Sequence, residues 1–508
     1  MHASQNTSLS MNTDHTISIT PAPSISHLPL PGPLPSASST SEAFDIEHVP
    51  VKNDPREWSR TRKNISLVLI SSAAMVAGLA ANIQNPAVEE MQRELPATSG
   101  QFSLSISMFI LLQGLMPLFW SAVSEVKGRK IVYLTSLALF TVASIVVALS
   151  RNIGLVIGFR SLQAAGSSAV LALGAATLAD IFDPSERGAK MGVYYMAPLL
   201  GPATGPIFGG VLTTGLNWRA IFWFLTIVSG TIFIAFVLFF KDTFRRERSL
   251  TYQTVLKERL RAKSRTPSID PIPVKSVGAG VDIEKQEKVT STMPTSNVES
   301  VLPVLKLSLK DVNPFKPIGL VLRRMNNLVV LFASGKSIAC LLFAFNFLIV
   351  YTSSRTLSSK YHYNPLKIGL VTLAYGLGCV AGSLLGGRWS DRELARLKTA
   401  NGRKSYPEMR LKSTILGVCF LPPFVLAFGW VCDKQVHVSA ICVMLFGCGF
   451  FSIWTYTSTL AYIVDANNGR SSTAVATNSA FRGLSAFVAT EIAVPLQDGL
   501  GDGAYIYT

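Results

Sequence analysis

Apolar segments of membrane-spanning length follow one another along most of the chain, separated by polar stretches. An α-helix needs about 20 apolar residues to cross the hydrocarbon core of a bilayer, and many of the segments are close to that length. No soluble core would bury so many of them, so the pattern predicts an all-α polytopic membrane protein. The predicted spans are 64–84, 103–123, 131–150, 153–178, 191–213, 219–240, 329–352, 367–387, 412–431, 437–459 and 472–495.

The order of these spans divides the chain into five parts. The first residues are rich in Ser, Thr and Pro and contain no apolar core of signal-peptide type, which predicts a disordered tail. A long polar and basic stretch separates spans six and seven. The predicted parts are a cytoplasmic tail (1–61), an N-terminal bundle (62–240), a cytoplasmic central loop (241–328), a C-terminal bundle (329–496) and a terminal segment (497–508).

Composition and charge agree with a membrane protein. Only 15% of the 508 residues are charged, where a soluble chain carries nearer a quarter. The excess of basic residues behind the net charge of +16 lies in the polar stretches between the spans. Basic loops favour the cytoplasmic side of a membrane, so the basic loops and the amino terminus are predicted to be cytoplasmic. The expected partner of these loops is membrane lipid and not nucleic acid. The six cysteines lack metal-ligand spacing and are interpreted as small hydrophobic residues, so no metal or cofactor is predicted.

Arg160 and Gln163 are polar residues inside the apolar fourth span. An arginine at membrane depth is costly and usually faces a protein interior or a wet cavity on a transport route. Gln163 lies one helical turn further on, so both groups point roughly the same way. We predict that both residues take part in transport. The alternatives are an arginine that reaches the headgroups and a structural tie between helices.

Span eleven contains a second arginine, Arg482, and the acid Glu491. Nine residues at 100° each place them on opposite faces of one helix, so they do not pair with each other. We expect Arg482 to face the central cavity or a gate and Glu491 to lie at the outer rim. Both are further candidates for proton coupling or transport.

A candidate substrate pocket follows from polar and aromatic side chains on spans two, five and seven. Such groups would bind aromatic or cationic amphiphiles through stacking and cation–π contact. Ordinary packing between helices is the alternative for each of them. The candidates are Gln113, Tyr194, Tyr195 and Asn346.

A weak repeat relates the two halves. After spans two and eight, an acid follows a small residue by four positions and basic residues come next, at the predicted cytoplasmic mouth. Two six-helix halves joined by a long link would produce this repeat. The candidate gate residues are Glu125, Gly128, Arg129 and Lys130 in the first half and Asp391 and Arg392 in the second.

Span five contains a run of regularly spaced glycines and prolines. Glycines four residues apart form a smooth helix face for close packing, while prolines bend the helix. The residues concerned are Gly201, Pro202, Gly205, Pro206, Gly209 and Gly210.

From about residue 60 to the end, these motifs resemble the major facilitator superfamily, and within it the fungal drug:proton antiporters with twelve spans, in particular the quinidine-resistance and polyamine-exporter branch. The signature loop G-x-x-x-D-R-x-G-R-R is similar to 121–130, with Ser121 for glycine, Glu125 for the acid and Val126 for the first arginine. The signature R-x-x-Q-G-x-G is matched by Arg160, Gln163 and Gly166. The span-five run resembles the antiporter motif, and 241–245 resembles the branch's P-E-T-x-R.

The resemblance implies the major facilitator fold of two six-helix bundles that rock around a central site. It further implies a monomeric exporter of small organic molecules, namely drugs, secondary metabolites or polyamines, driven by the proton gradient without a cofactor. The plasma membrane is the expected location, with the vacuolar membrane as the alternative. In relatives the arginine matched by Arg160 is tied to proton coupling. Span one lacks the acid that bacterial relatives often carry, so the sequence leaves the proton carrier open.

Other functions are compatible with the same fold. Import of an organic nutrient or anion is one, although the antiporter-type helix argues against it; a sensor that does not transport is another. An enzyme is not predicted, because no histidine cluster, nucleophile motif or phosphate loop stands out. The family has twelve spans, whereas this sequence stops at 497–508, where a twelfth would begin. We therefore expect a shortened sequence whose second half lacks its last helix.

Overall fold

The computed structural model describes residues 54–245, 339–402, 406–466 and 471–504. The predicted tail as far as residue 53, most of the central loop and the last four residues lie outside the described residues. Twelve α-helices and no strand occur in the described part. They are α1 (Arg60–Asn82), α2 (Val88–Glu94), α3 (Ser99–Lys127), α4 (Arg129–Leu149), α5 (Ile153–Ile181), α6 (Pro184–Gly215), α7 (Trp218–Phe239), α8 (Ala339–Ser359), α9 (Pro365–Ala400), α10 (Ile415–Asp433), α11 (Val438–Ala466) and α12 (Ser471–Ala504).

Eight helical segments of the described chain are long and apolar enough to cross a membrane. They include α1, α3, α4, α5, α7, α9, α10 and α11. The remaining long helices, α6, α8 and α12, overlap predicted spans five, seven and eleven. Residues 329–338 of span seven lie outside the described residues, and α8 continues beyond its predicted end to Ser359. α6 and α12 are rich in glycine and small polar residues, which lowers their apolar character but suits close packing against other helices.

The helices form two bundles with the same internal arrangement. In the first bundle α3 and α4 pack on α5, and α1 packs on α6. In the second, α9 and α10 pack on α11, and α8 packs on α12. The second and third helices of each half thus contact the fourth, and the first contacts the fifth. This correspondence confirms the major facilitator fold with two related halves.

The bundles meet through two equivalent helix pairs. α3 packs on α12 and α6 packs on α9, so the second helix of each half lies against the fifth helix of the other. At the first crossing, a Cβ added to Gly114 would lie 2.7 Å from the Cα of Gly483. At the second, a Cβ added to Gly369 would lie 2.3 Å from the carbonyl oxygen of Pro206. Backbones this close require the small residues found there.

The first bundle extends beyond the predicted 62–240 at both ends. Asp54 pairs with Arg245 at 3.3 Å and Arg56 with Asp183 at 3.6 Å. These ion pairs attach the segment before α1 and the segment after α7 to the inner end of the bundle. Residues 54–61 are therefore part of the fold, although the sequence assigned them to the tail.

Candidate transport site and gates

Arg160 lies in the interior of the first bundle. Its side chain on α5 is 0% exposed, and its Nη1 donates hydrogen bonds to the carbonyl oxygen of Ala80 at 3.0 Å and to Oε1 of Gln163 at 2.6 Å. The guanidinium carbon lies 4.1 Å from the ring centroid of Phe109. Gln163 in turn donates to Oγ of Ser144 at 2.6 Å. The arginine therefore connects α5 with α1, α3 and, through Gln163, α4.

The charge of Arg160 is balanced by dipoles and a ring face. A carbonyl oxygen, an amide oxygen and the electron-rich face of Phe109 surround it. Its Nε and Nη2 have no hydrogen-bond partner in the described part of the chain. A buried cation held in this way is costly to keep and sensitive to small helix movements. It faces neither the acyl chains nor the headgroups.

The first gate loop is built around Gly128, which adopts a φ of +88° between α3 and α4. Residues with a side chain rarely adopt this φ, and a Cβ there would also displace the carboxylate of Asp242, whose nearest oxygen would lie 2.1 Å away, so the position favours glycine. Oδ1 of Asp242 accepts hydrogen bonds from the backbone N–H of Arg129 at 2.9 Å and of Lys130 at 3.4 Å. This carboxylate caps the positive end of α4. The sequence analysis did not assign Asp242 to the gate.

The basic side chains of this loop bind the inner end of the same bundle. Nε of Arg129 lies 3.4 Å from Oδ2 of Asp180 on α5, and Nζ of Lys130 donates to the carbonyl oxygen of Val237 at 3.2 Å. Glu125 is half-buried on the last turns of α3. The loop therefore fixes α3 and α4 to the ends of α5 and α7.

The second gate loop is more open. Asp391, on the last turns of α9, pairs with Arg410 at 3.0 Å, but its side chain remains 72% exposed. Arg410 belongs to a 3₁₀ helix, Pro407–Thr414, that leads into α10. Arg392 is exposed. In both halves, an arginine that precedes or begins the third helix thus pairs with an acid at the predicted cytoplasmic end of the bundle. The two acids are not equivalent, because Asp180 lies on the fourth helix of its half and Asp391 on the second.

The glycines of α6 pack on the first helix of the same bundle. A Cβ added to Gly201 would lie 2.6 Å from the carbonyl oxygen of Met75, and one added to Gly209 would lie 1.8 Å from that of Ile83. Gly205 has more room, at 3.3 Å from the nearest atom. This face also covers the segment of α1 that contains Ala80, the partner of Arg160.

A second face of α6 packs on α9 of the other bundle. The Cα of Ala203 would lie 2.3 Å from a Cβ on Gly376, and the carbonyl oxygen of Pro365 would lie 2.5 Å from a Cβ on Gly210. Pro202 has its ring against Gly78 of α1, and Pro206 contacts Gly369. The motif therefore shapes two faces of one helix, one within the bundle and one between bundles.

Of the predicted pocket residues, the structure brings Tyr194 and Tyr195 together, with ring centroids 5.1 Å apart. Tyr194 is buried in the first bundle and donates to the carbonyl oxygen of Val170 at 3.1 Å. Gln113 is half-buried and donates to Ala77 and Ser167 at 3.4 Å. Tyr195, by contrast, is 43% exposed. The side chain of Asn346 lies outside the described residues.

Arg482 faces α11 of its own bundle. Its Nη1 donates to the hydroxyl oxygen of Tyr456 at 2.8 Å, and its guanidinium carbon lies 5.5 Å from that ring's centroid. Arg482 and Tyr456 are both half-buried. The sequence did not identify Tyr456, because a tyrosine in a span is ordinary.

Glu491 lies where α12 contacts α3. Oγ of Ser107 donates a hydrogen bond to its Oε1, and Oγ of Ser103 donates to the carbonyl oxygen of Thr490 at 3.1 Å. The carboxyl group is half-buried. Glu491 thus takes part in the contact between the two bundles.

The structure consists of two related helical bundles that meet on small residues, and it holds arginine side chains within predicted membrane spans. These features are those of a polytopic transporter of the two-bundle class. The chain matches the sequence model of the Major Facilitator Superfamily over residues 70–490, and it belongs to that superfamily. It is therefore a multi-pass membrane transporter and not an enzyme.

Relatives place the chain among fungal members of the superfamily. It is similar to the MFS antiporter QDR3 of Candida albicans, with 27% identity over 90% of this chain and 76% of the relative. It is also similar to citrate exporter 1 of Aspergillus niger, with 29% identity over 92% and 86%. The expected resemblance to the fungal drug-antiporter branch is thereby confirmed.

A solved structure supports the same fold. A bacterial homolog of the human lysosomal transporter Spinster, in an inward-facing and unoccupied conformation, superposes with a TM-score of 0.58 at 13% identity. The comparison covers 87% of this chain and 85% of that one.

Proposed function

We propose that this chain exports small organic molecules in exchange for protons by alternating access. The observation that carries the proposal is the paired contact between bundles, α3 with α12 and α6 with α9. With the amino terminus inside, Ser103–Thr490 and Gly210–Pro365 lie in the outer halves of these helices. Rocking of one bundle against the other would separate these contacts and open the outer side.

Export is the direction supported by the relatives. One similar protein is called an antiporter and another a citrate exporter. The glycine and proline run of α6, which resembles the antiporter motif, supports the same direction. Drugs, secondary metabolites and polyamines are the substrates that the resemblance implies, and the fungal plasma membrane is the proposed location.

Glu491 is our proposed proton carrier. It is the one Asp or Glu of the whole sequence that lies within a predicted span. Its carboxyl group accepts a hydrogen bond from Ser107 of the opposite bundle. Opening of the outer contact would break this bond and expose the carboxylate to external protons. Arg482 lies on the opposite face of the same helix.

Arg160 is proposed to transmit the movement within the first bundle. It joins α5 to the carbonyl oxygen of Ala80, in the part of α1 that the glycines of α6 cover. A shift of α1 or α6 would therefore alter the environment of a cation that has few alternative partners.

Export from an efflux-deficient yeast that expresses the full chain tests the proposal. Substrate-loaded cells are transferred to medium at several external pH values, and release is followed for drug and organic-acid probes. Export that rises with external acidity is expected for the wild type. Arg160→Ala is expected to abolish release, whereas Arg151→Ala, which removes an exposed arginine, is the control. Glu491→Gln is expected to leave exchange between equal pools but to remove the pH dependence.

Three outcomes contradict the proposal or one of its parts. Release that is the same with and without the chain for every probe, at normal surface expression, excludes export. Release that is normal in Arg160→Ala contradicts the role of the buried arginine. Retained pH dependence in Glu491→Gln excludes that residue as the proton carrier.

A further inference from the structure

Two lysines from different helices converge on one buried ring at the inner end of the first bundle. Nζ of Lys63 on α1 lies 6.0 Å from the ring centroid of Phe182, and Nζ of Lys190 on α6 lies 5.5 Å from it. Nζ of Lys190 also donates a hydrogen bond to Oδ1 of Asn64 on α1 at 3.2 Å. Phe182 directly follows α5 and is 1% exposed. The ends of three helices thus bring two ammonium groups together.

The acids near this site leave its positive charge unbalanced. Neither lysine forms an ion pair within the ranges that the structure describes. Asp183, the acid next to Phe182, pairs instead with Arg56 at 3.6 Å, and Glu186 in the first turn of α6 is exposed. Two like charges next to one ring repel each other, and the ring face and the amide oxygen of Asn64 compensate this repulsion only in part. An anion between the two ammonium groups would remove it.

The predicted topology places both lysines at the inner boundary of the membrane. Lys63 directly precedes predicted span one (64–84), and Lys190 directly precedes predicted span five (191–213). A lysine that only extends towards water would be exposed at its tip, whereas both residues are half-buried and lie against a buried ring. This level is that of the headgroups of the cytoplasmic leaflet, which is rich in anionic lipids.

Exposed apolar side chains follow the polar groups of the site along both helices. Val68 lies one helical turn beyond Asn64 on α1 and is 61% exposed, and Val193 lies three residues beyond Lys190 on α6 and is 53% exposed. Residues three or four positions apart share a helix face, so each valine continues a face that carries a polar group of the site. An anion with an attached hydrocarbon chain fits this order of groups better than a free anion does.

We propose that Lys63 and Lys190 bind the phosphate group of an anionic phospholipid from the cytoplasmic leaflet. An ammonium group donates up to three hydrogen bonds and binds phosphate as a point charge. The acyl chains would lie along Val68 and Val193. The bound headgroup would join α1 to α6 at their inner ends. This lipid site goes beyond the export function and does not depend on it.

Binding of a short-chain phospholipid to the purified full chain tests the site. Dioctanoyl phosphatidylinositol is titrated into the chain in a neutral detergent while thermal unfolding is followed, with dioctanoyl phosphatidylcholine as the control lipid. We expect the anionic lipid to raise the unfolding temperature and phosphatidylcholine to leave it unchanged. Lys63→Gln combined with Lys190→Gln is expected to raise the concentration for half-maximal stabilisation about tenfold or more, because each lysine contributes to the attraction. Arg60→Gln, which removes an exposed basic residue at the same end of α1, is the matched control and should respond like the wild type.

A variant that preserves the charge and a headgroup without chains complete the test. Lys63→Arg combined with Lys190→Arg is expected to retain the stabilisation, which separates lost binding from a damaged fold. Should the double glutamine variant not fold, the single variants Lys63→Gln and Lys190→Gln are each expected to show a smaller loss. Equal stabilisation by inositol phosphate at the same concentration would overturn the lipid assignment in favour of a soluble anion. An unchanged lipid response in the glutamine variants, or no response of the wild type, would overturn the site itself.

Discussion

Arg160 and Arg482 are both arginines at membrane depth, yet their surroundings differ. Arg160 is fully buried in one bundle, whereas Arg482 is half-buried and donates a hydrogen bond to Tyr456 of its own bundle. The sequence identified both residues, because a cation in an apolar segment is rare. It did not show that one arginine is fully buried and the other half-buried. That difference depends on the rotation of each helix about its axis, which the partners on neighbouring helices set.

At the residue scale, Gln163→Leu tests whether the hydrogen bonds of Gln163 to Arg160 and Ser144 stabilise the first bundle. The substitution keeps the approximate volume but removes the acceptor for Arg160 and the donor to Ser144. We expect a loss of about 1–2 kcal/mol of stability, because a buried charge loses one of its two hydrogen bonds. Thermal unfolding in detergent measures the loss. Ser161→Ala, which removes only a local bond to Ile157, is the control. Equal unfolding temperatures for the two variants would show that the hydrogen bonds of Gln163 do not stabilise the bundle.

At the scale of elements, the glycine and proline run of α6 packs on two neighbouring helices. Its glycines at 201, 205 and 209 follow a spacing of four and pack on α1, while Ala203 and Pro206 pack on α9. The sequence predicted the smooth face from glycine spacing but not the second face. The cap of α4 by Asp242 was also missed, since the acid is 112 residues or more away in sequence from the N–H groups that it binds. Such long-range contacts have no local pattern.

A graded glycine series tests the packing of α6. Gly192→Ala is expected to be neutral or slightly stabilising, because nothing lies within 4 Å of the added Cβ. Gly205→Ala should cost less than about 1 kcal/mol, and Gly209→Ala about 3 kcal/mol, because its Cβ meets a backbone carbonyl oxygen that does not rotate away. The unfolding temperatures should fall in that order. The packing assignment is wrong if Gly192→Ala proves as destabilising as Gly209→Ala.

For the whole molecule, the spans and the relation between the halves followed from sequence. Hydrophobic length predicted the helices, and the paired acids Glu125 and Asp391 predicted the repeat that the helix packing confirms. The helix pairs that join the bundles were not predicted. Nothing in the sequence around Gly114 or Gly483 indicates which helix each glycine contacts. Contacts between bundles depend on the assembled fold and on the state of the transport cycle.

The most direct test of alternating access is pulsed electron paramagnetic resonance on two spin-labelled pairs in the purified chain in lipid. One pair, Arg93→Cys with Lys434→Cys, joins exposed sites on the outer side of the two bundles; the other, Lys127→Cys with Arg396→Cys, joins exposed sites on the inner side. Exposed native Cys419 is replaced in both. We predict that substrate or external acid lengthens the outer distance and shortens the inner one in the same samples. Distances that stay fixed, or that change in the same direction at both sides, would contradict the account.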